Sequence, residues 1–103
     1  MTYFDIQKKS HLHVDASPFG LSAILMQGND DDDLPVVAYG SRSLSDVESR
    51  YSQTEREALA IVWGVGHFHQ YLYGSYFIMI TDHKPLEVIY GNVNSNPSVR
   101  IER

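Results

Sequence analysis

The sequence predicts an α/β fold with a mixed sheet: a three-stranded antiparallel meander, a crossover helix, then a fourth strand parallel to the first. Three observations carry this. From His11 to Ala16 apolar and polar residues alternate with the period of a strand. Two further strand-like runs follow over short links, before any helical pattern begins. After Ser52 the apolar positions Ile61, Val65, Phe68 and Leu72 recur at helical spacing, and a last apolar run leads to Asp82.

In the first strand Leu12 and Val14 share one face, with His13 and Asp15 on the other. Ser17, Pro18 and Gly20 supply a turn, and 21–27 read as the second strand. The loop GNDDDDLP separates it from a third strand over about 36–41. Ser45-x-x-Glu48 and Ser52-x-x-Glu55 both have capping-box spacing, so a short helical turn should precede the long helix. That helix is expected over about 53–73, ending at Gly74 as its C-cap. Gly64 and Gly66 inside it each cost ~1 kcal/mol relative to Ala, which suggests close packing at both. A fourth strand over 76–81 reaches Asp82, Pro85 is read as opening a short helix through about Tyr90, and 91–103 read as loop.

The 103 residues make one domain, 1–103, with a single core. Apolar residues at 43% and charged residues at 20% fit a soluble globular chain rather than a disordered tail. No apolar run approaches the ~20 residues that cross a bilayer, and MTYFDIQKKSH lacks the apolar stretch of a signal peptide. Cysteine is absent, which excludes a disulfide framework or thiolate metal site. A net charge of −5 argues against nucleic-acid binding by charge alone. A nuclease that uses divalent cations escapes that objection. Much of the excess also sits in Asp30 to Asp33, read as a solvated loop.

The order βββαβ has a chemical consequence. A right-handed crossover lays strand four parallel to strand one, so Asp15 and Asp82, at the carboxyl ends of their strands, become neighbours. The helix runs antiparallel to both and returns its first turns, carrying Glu57, to the same edge. Such edges are where α/β sheets place their ligands. Three carboxylates held together repel unless a cation is bound. Mg²⁺ suits them, as a hard ion that takes carboxylate oxygens and keeps waters for a phosphate to displace. Two such ions ~3.5–4 Å apart activate a water and stabilise the leaving oxygen of a phosphodiester. Separate, solvated acids are the competing reading.

The blocks VDASPFGLSAILMQ, PVVAYGSRSLSDVESRYSQTEREALAIVW and FIMITDHKPL resemble, in order and spacing, the RNase H domain of gypsy-type LTR retrotransposon polyproteins, where it accompanies a reverse transcriptase. Tyr3-Phe4-Asp5 also resembles the segment before that family's first strand. The resemblance implies an RNase H-like fold, with Asp15 of DAS and Asp82 of TDH as metal ligands. Glu-x-x-Ala, here the start of EALAIVW, selects Glu57 as the helix ligand, while Glu55 suits a cap on Ser52. Integrases share the fold, but their Glu comes last, whereas here it comes second. In the family a further helix, a fifth strand and a segment with a fourth Asp follow. The resemblance therefore implies a C-terminally truncated domain with a missing fifth strand and C-terminal helix, an exposed edge at strand four, and weak or no cleavage unless Mn²⁺ is supplied.

The implied activity is that of a metal-dependent endonuclease hydrolysing the RNA strand of an RNA–DNA hybrid, with Asp15, Glu57 and Asp82 both catalytic and metal-binding. Mg²⁺ is the expected cofactor and Mn²⁺ its substitute. The partners are the hybrid and the reverse transcriptase of the same polyprotein, with no membrane. The expected location is intracellular: cytoplasmic in retroelement particles, or nuclear if retained by a host. Ser17, Ser41, Arg42, His83 and Lys84 are candidate substrate contacts, to phosphate or the 2′-hydroxyl, with plain solvated surface as the alternative. Arg50 and Arg56 are weaker candidates of the same kind. His67 and His69 do not share a helix face and read as packing or surface residues. His11 and His13 share a strand face without an evident third ligand. Tyr71, Tyr73, Tyr76 and Phe77 read as core rather than base-stacking platforms. The rival function is a catalytically impaired module with a structural or hybrid-binding role.

Overall fold

A computed structural model describes residues 3–28, 34–81, 85–90 and 98–101, with only the backbone for Leu86 and for 98–101. One mixed sheet of six strands is ordered β3-β2-β1-β4-β5-β6. The strands are β1 (Ser10–Ala16), β2 (Gly20–Gln27), β3 (Val36–Ser43), β4 (Ser75–Ile80), β5 (Pro85–Tyr90) and β6 (Ser98–Ile101). Helices α1 (Gln53–His67) and α2 (His69–Leu72) connect β3 to β4. The meander, the crossover and the parallel β1–β4 pair are all present. This is the mixed α/β architecture of an RNase H-like fold.

Alternation decides which face of each strand is covered. Leu12, Val14, Ala16, Leu21, Ala23 and Leu25 turn to one side and form the core with Ala60, Phe68, Leu72, Phe77, Met79 and Val88. Helix α1 lies on that side. A Cβ placed on Gly64 would come within 2.8 Å of Val14 Cγ1 and 3.4 Å of Ala23 Cβ, so this glycine permits the close approach of helix to sheet. Gly66 does not share that role: among the described residues nothing beyond its own stretch of helix lies within 4 Å of its Cβ position, which corrects the expectation of close packing there.

Both Ser-x-x-Glu pairs exchange reciprocal hydrogen bonds, and the second caps a helix. Glu48 N donates to Ser45 Oγ at 3.2 Å and Ser45 N to Glu48 Oε1 at 2.9 Å, closing the turn that leads into the 3₁₀ helix Glu48–Arg50, whose own N-cap is Val47. Glu55 N donates to Ser52 Oγ at 3.2 Å and Ser52 N to Glu55 Oε1 at 2.9 Å, starting α1. The expected single helix to residue 73 is broken instead at Phe68. That residue adopts φ −104°, ψ 26°, in the bridge region, and buries its ring in the core before α2 resumes. Gly74 follows at φ +83°, the left-handed conformation expected after a helix end, and its N–H donates to Tyr90 O at 2.7 Å.

Beyond β4 two expectations are corrected. Residues 85–90 are not a short helix but β5, antiparallel to β4 with Val88 opposite Phe77. Pro85 suits the first residue of a strand as well as of a helix. Val88, Ile89 and Tyr90 favour a pleated surface, and burial of Val88 against the core prevails over the weak helix-start signal. The segment read as loop contains β6, paired with β5. Strand β4 is therefore an interior strand, not the exposed edge expected. The acidic run Asp30 to Asp33, read as a solvated loop, lies outside the described residues. Tyr73 and Tyr76 are 47% and 57% exposed and so do not join Phe77 in the core; Tyr71 packs against it partly buried. Among the described residues no helix is long and apolar enough to cross a membrane.

Candidate active site

Asp15 and Glu57 meet at one small open cleft, about 200 Å³ including the solvent at its mouth, lined by Val14, Asp15, Ala16, Glu57, Ala60 and Thr81. Asp15 is the penultimate residue of β1 and points away from α1, on the face opposite Val14. Glu57 lies one helical turn before Ala60 and two before Gly64, on the face of α1 that packs on β1. Both acids line one cleft because the first turns of α1 lie beside the carboxyl end of β1. Thr81, which lines the same cleft, directly precedes Asp82 in the sequence.

Hydrogen bonds hold this corner. Gln53 Nε2, in the first turn of α1, lies 3.4 Å from Ala16 O and 3.4 Å from Glu57 Oε1. It ties the helix start to the strand end and one acid to the corner. Asp15 Oδ1 accepts from Ala16 N at 2.9 Å, which leaves its second oxygen without a described partner. Sequence reading missed Gln53, although its i, i+4 spacing from Glu57 marks it as a neighbour on the helix surface.

The other predicted residues divide. Glu55 is occupied by the cap, whose hydrogen bonds from Ser52 hold its carboxyl below the usual range. Ser17 Oγ accepts from Phe19 N and Gly20 N, at 3.2 and 3.1 Å, and lies 3.3 Å from Gly20 O, so it shapes the β1–β2 turn. Arg42 forms a two-pronged ion pair with Glu48, at 3.0 and 2.7 Å. That pairing, with a bond from Ser45 N, lowers the Glu48 carboxyl to about 2 and raises the guanidinium. Arg56 donates to Tyr51 O and Gln53 Oε1. Ser41 is exposed on β3, while Asp82, His83 and Lys84 lie outside the described residues. His67 packs its ring on Trp63, Phe68 and the backbone of Gly40, and the ring of His69 bonds Tyr90 Oη at 2.7 Å.

The donor set is chemically suited to a hard divalent cation. Two carboxylates share an open cleft, and neither pairs with a described Lys or Arg, whereas Glu48 does. Among the described residues no group of three acids or histidines is close enough to hold an ion. Asp15 and Glu57 thus offer two oxygen ligands, with Asp82 the third expected from the sequence.

Residues 5–103 match the RNase H-like domain found in reverse transcriptase. The whole chain is 40% identical to part of the retrovirus-related Pol polyprotein from transposon 412 of Drosophila melanogaster, over 103 residues. It is 42% identical over 94 residues, 90% of its length, to that from transposon opus. To that from transposon gypsy of the same fly it is 39% identical over 101 residues, 97% of its length. It spans only 8 to 9% of the length of these relatives. A match over nearly every residue, on a sheet and crossover of the same kind, is decisive: the chain belongs to the family of RNase H-like domains found in reverse transcriptase.

Proposed function

We propose that this chain is a metal-dependent endonuclease domain that hydrolyses the RNA strand of an RNA–DNA hybrid, acting beside the reverse transcriptase of a retrotransposon polyprotein. The observation that carries this reading is the meeting of Asp15 and Glu57 at one cleft, in a chain of this family, with Thr81 on the same wall leading to Asp82. Asp15, Glu57 and Asp82 would hold Mg²⁺, or Mn²⁺ in its place. When bound there, the ion supplies the Lewis acidity that makes water a nucleophile and steadies the leaving oxygen. Asp15, whose second carboxylate oxygen has no described partner, would hold the ion from the strand end. Glu57 would hold it from the first turns of α1, with the Gln53 amide 3.4 Å from its carboxylate. The products are a 5′-phosphate and a 3′-hydroxyl, and no covalent enzyme intermediate is needed. Hybrid recognition rests on groove shape and the 2′-hydroxyl.

The test is a labelled hybrid incubated with the chain in Mg²⁺ or Mn²⁺. The expected result is slow cleavage of the RNA strand, faster with Mn²⁺ and lost in Asp15→Asn. Cleavage that persists in Asp15→Asn or in EDTA would overturn the assignment. Hybrid binding with no cleavage in either metal would favour the rival reading, a binding module. That rival draws on the fact that only two described acids line the cleft.

A further inference from the structure

Two of the polar groups expected to meet substrate are already engaged: the Ser17 hydroxyl by its own turn and the Arg42 guanidinium by Glu48. The strand register keeps Ser41 and adds Ser22. Asp15 stands directly opposite Ser22 on β2, and Ser22 directly opposite Ser41 on β3. Residues directly opposite across a sheet share a face, so Asp15, Ser22 and Ser41 form one row across three strands. With neighbouring strands ~4.8 Å apart, the row spans ~10 Å. It lies on the face away from α1, whose side of the sheet is taken by Val14 and Ala23. Ser22 is half-buried and Ser41 exposed, and neither hydroxyl has a hydrogen-bond partner among the described residues. The adjoining row on the same face is His13, Ile24 and Tyr39, with Tyr39 68% exposed. The two hydroxyls thus continue the row of the Asp15 carboxylate across the sheet, with the His13, Ile24 and Tyr39 row alongside.

We propose that Ser22, with Ser41 beside it, reads the ribose 2′-hydroxyl of the RNA strand and so sets the preference for a hybrid over a DNA duplex. This rests on the hybrid-cleaving reading above and names the residue that makes its choice of strand. The chemistry matches in kind. A serine hydroxyl donates one hydrogen bond and accepts others, as a 2′-hydroxyl does, and the two can pair without a charge. The wide, shallow minor groove of A-form helices displays these hydroxyls, so a flat row on a sheet can reach them where a protruding element is not needed. Placement in line with Asp15 puts the contact within two strands of the acid, close to the phosphodiester to be cut. Ser22 is a positioning and specificity residue in this scheme, not a catalytic one.

The test compares binding of a hybrid and of a DNA duplex of the same sequence, by fluorescence anisotropy in Ca²⁺, for the native chain, Ser22→Ala and Ser22→Thr. Ser22→Ala is expected to lose about three- to tenfold in affinity for the hybrid, the worth of one net hydrogen bond. Its affinity for the DNA duplex should be unchanged, which also reports an intact fold. Ser22→Thr, which keeps the hydroxyl, should retain the preference. If the native chain prefers the hybrid and Ser22→Ala keeps that preference in full, or loses affinity equally for both duplexes, the role of Ser22 is overturned while the hybrid reading stands. If the native chain shows no preference for the hybrid, both fall.

Discussion

Gly64 and Gly66 lie two residues apart in α1, and replacing each with Ala should move stability in opposite directions. In a helix interior the change from Gly to Ala gains ~1 kcal/mol. At Gly66 nothing opposes it, since among the described residues no atom beyond its own stretch of helix lies within 4 Å of the new Cβ. Gly66→Ala should therefore raise the melting temperature by ~4–8 °C, the shift per kcal/mol for a domain of this size. At Gly64 the new Cβ would sit 2.8 Å from Val14 Cγ1. Val14 is buried to 3% exposure and β-branched, hence held in a narrow rotamer range on a strand flanked on both sides. Relieving the clash costs ~1–3 kcal/mol as overpacking, so Gly64→Ala should be net destabilising by ~0–2 kcal/mol. Thermal unfolding of both variants by circular dichroism reads the two signs. A double-variant cycle with Val14→Ala isolates the contact: with the methyl groups gone, Gly64→Ala should become stabilising. Equal stabilisation at both glycines in the native background would refute the seating of α1 on β1, and with it the geometry that brings Glu57 to Asp15.

Three further outcomes follow from named contacts. Glu48 has its carboxyl lowered from the usual 4.5 to about 2, first by Arg42 and then by Ser45 N. Its contribution to stability is complete above about pH 4.5 and is lost as pH falls toward 2. Denaturant melts across that window should show a shallower pH slope in Glu48→Gln, and an identical slope would remove Arg42 from this pair. Glu57→Gln should weaken Mn²⁺ binding in calorimetry, whereas Ser52→Ala should leave it intact and lower stability by ~0.5–2 kcal/mol through the lost cap; the reverse pattern would shift the helix register by two residues, to Glu55. Tyr90→Phe removes the bond to the His69 ring that ties α2 to β5 and should cost ~0.5–1.5 kcal/mol. No change in stability would speak against β5 as a strand beside α2.

Most of what positions the site was legible because it depends on period and caps. Alternation in 11–16 gave both the strand and the outward face of Asp15. Two Ser-x-x-Glu spacings located the helix start and gave Glu55 to the cap, while the choice of Glu57 came from the Glu-x-x-Ala pattern of the family that the sequence resembles. The failures share a cause: local signals that tertiary contacts overrule or reassign. Pro85 opens strands as readily as helices, and Val88 opposite Phe77 decided the matter. Phe68 fitted the helical stripe, yet its burial in the core accompanies a break that the stripe does not show. Ser17 and Arg42 looked available for substrate because their residue types are suitable, but their partners lie on turns that only the folded chain assembles. Ser22 was overlooked because its significance is its register against Asp15 and Ser41, a property of three strands together.

The central claim is that Asp15 and Glu57 share a divalent ion at the cleft where the first turns of α1 lie beside the carboxyl end of β1. Paramagnetic broadening by substoichiometric Mn²⁺ in ¹⁵N-correlated spectra tests it most directly, because it locates the ion without needing turnover. Broadening is expected to centre on the amides of Asp15, Ala16, Glu57, Ala60 and Thr81 and to disappear from them in Asp15→Asn. Broadening centred elsewhere, for instance on Asp46 and Glu48, or unchanged in Asp15→Asn, would contradict it.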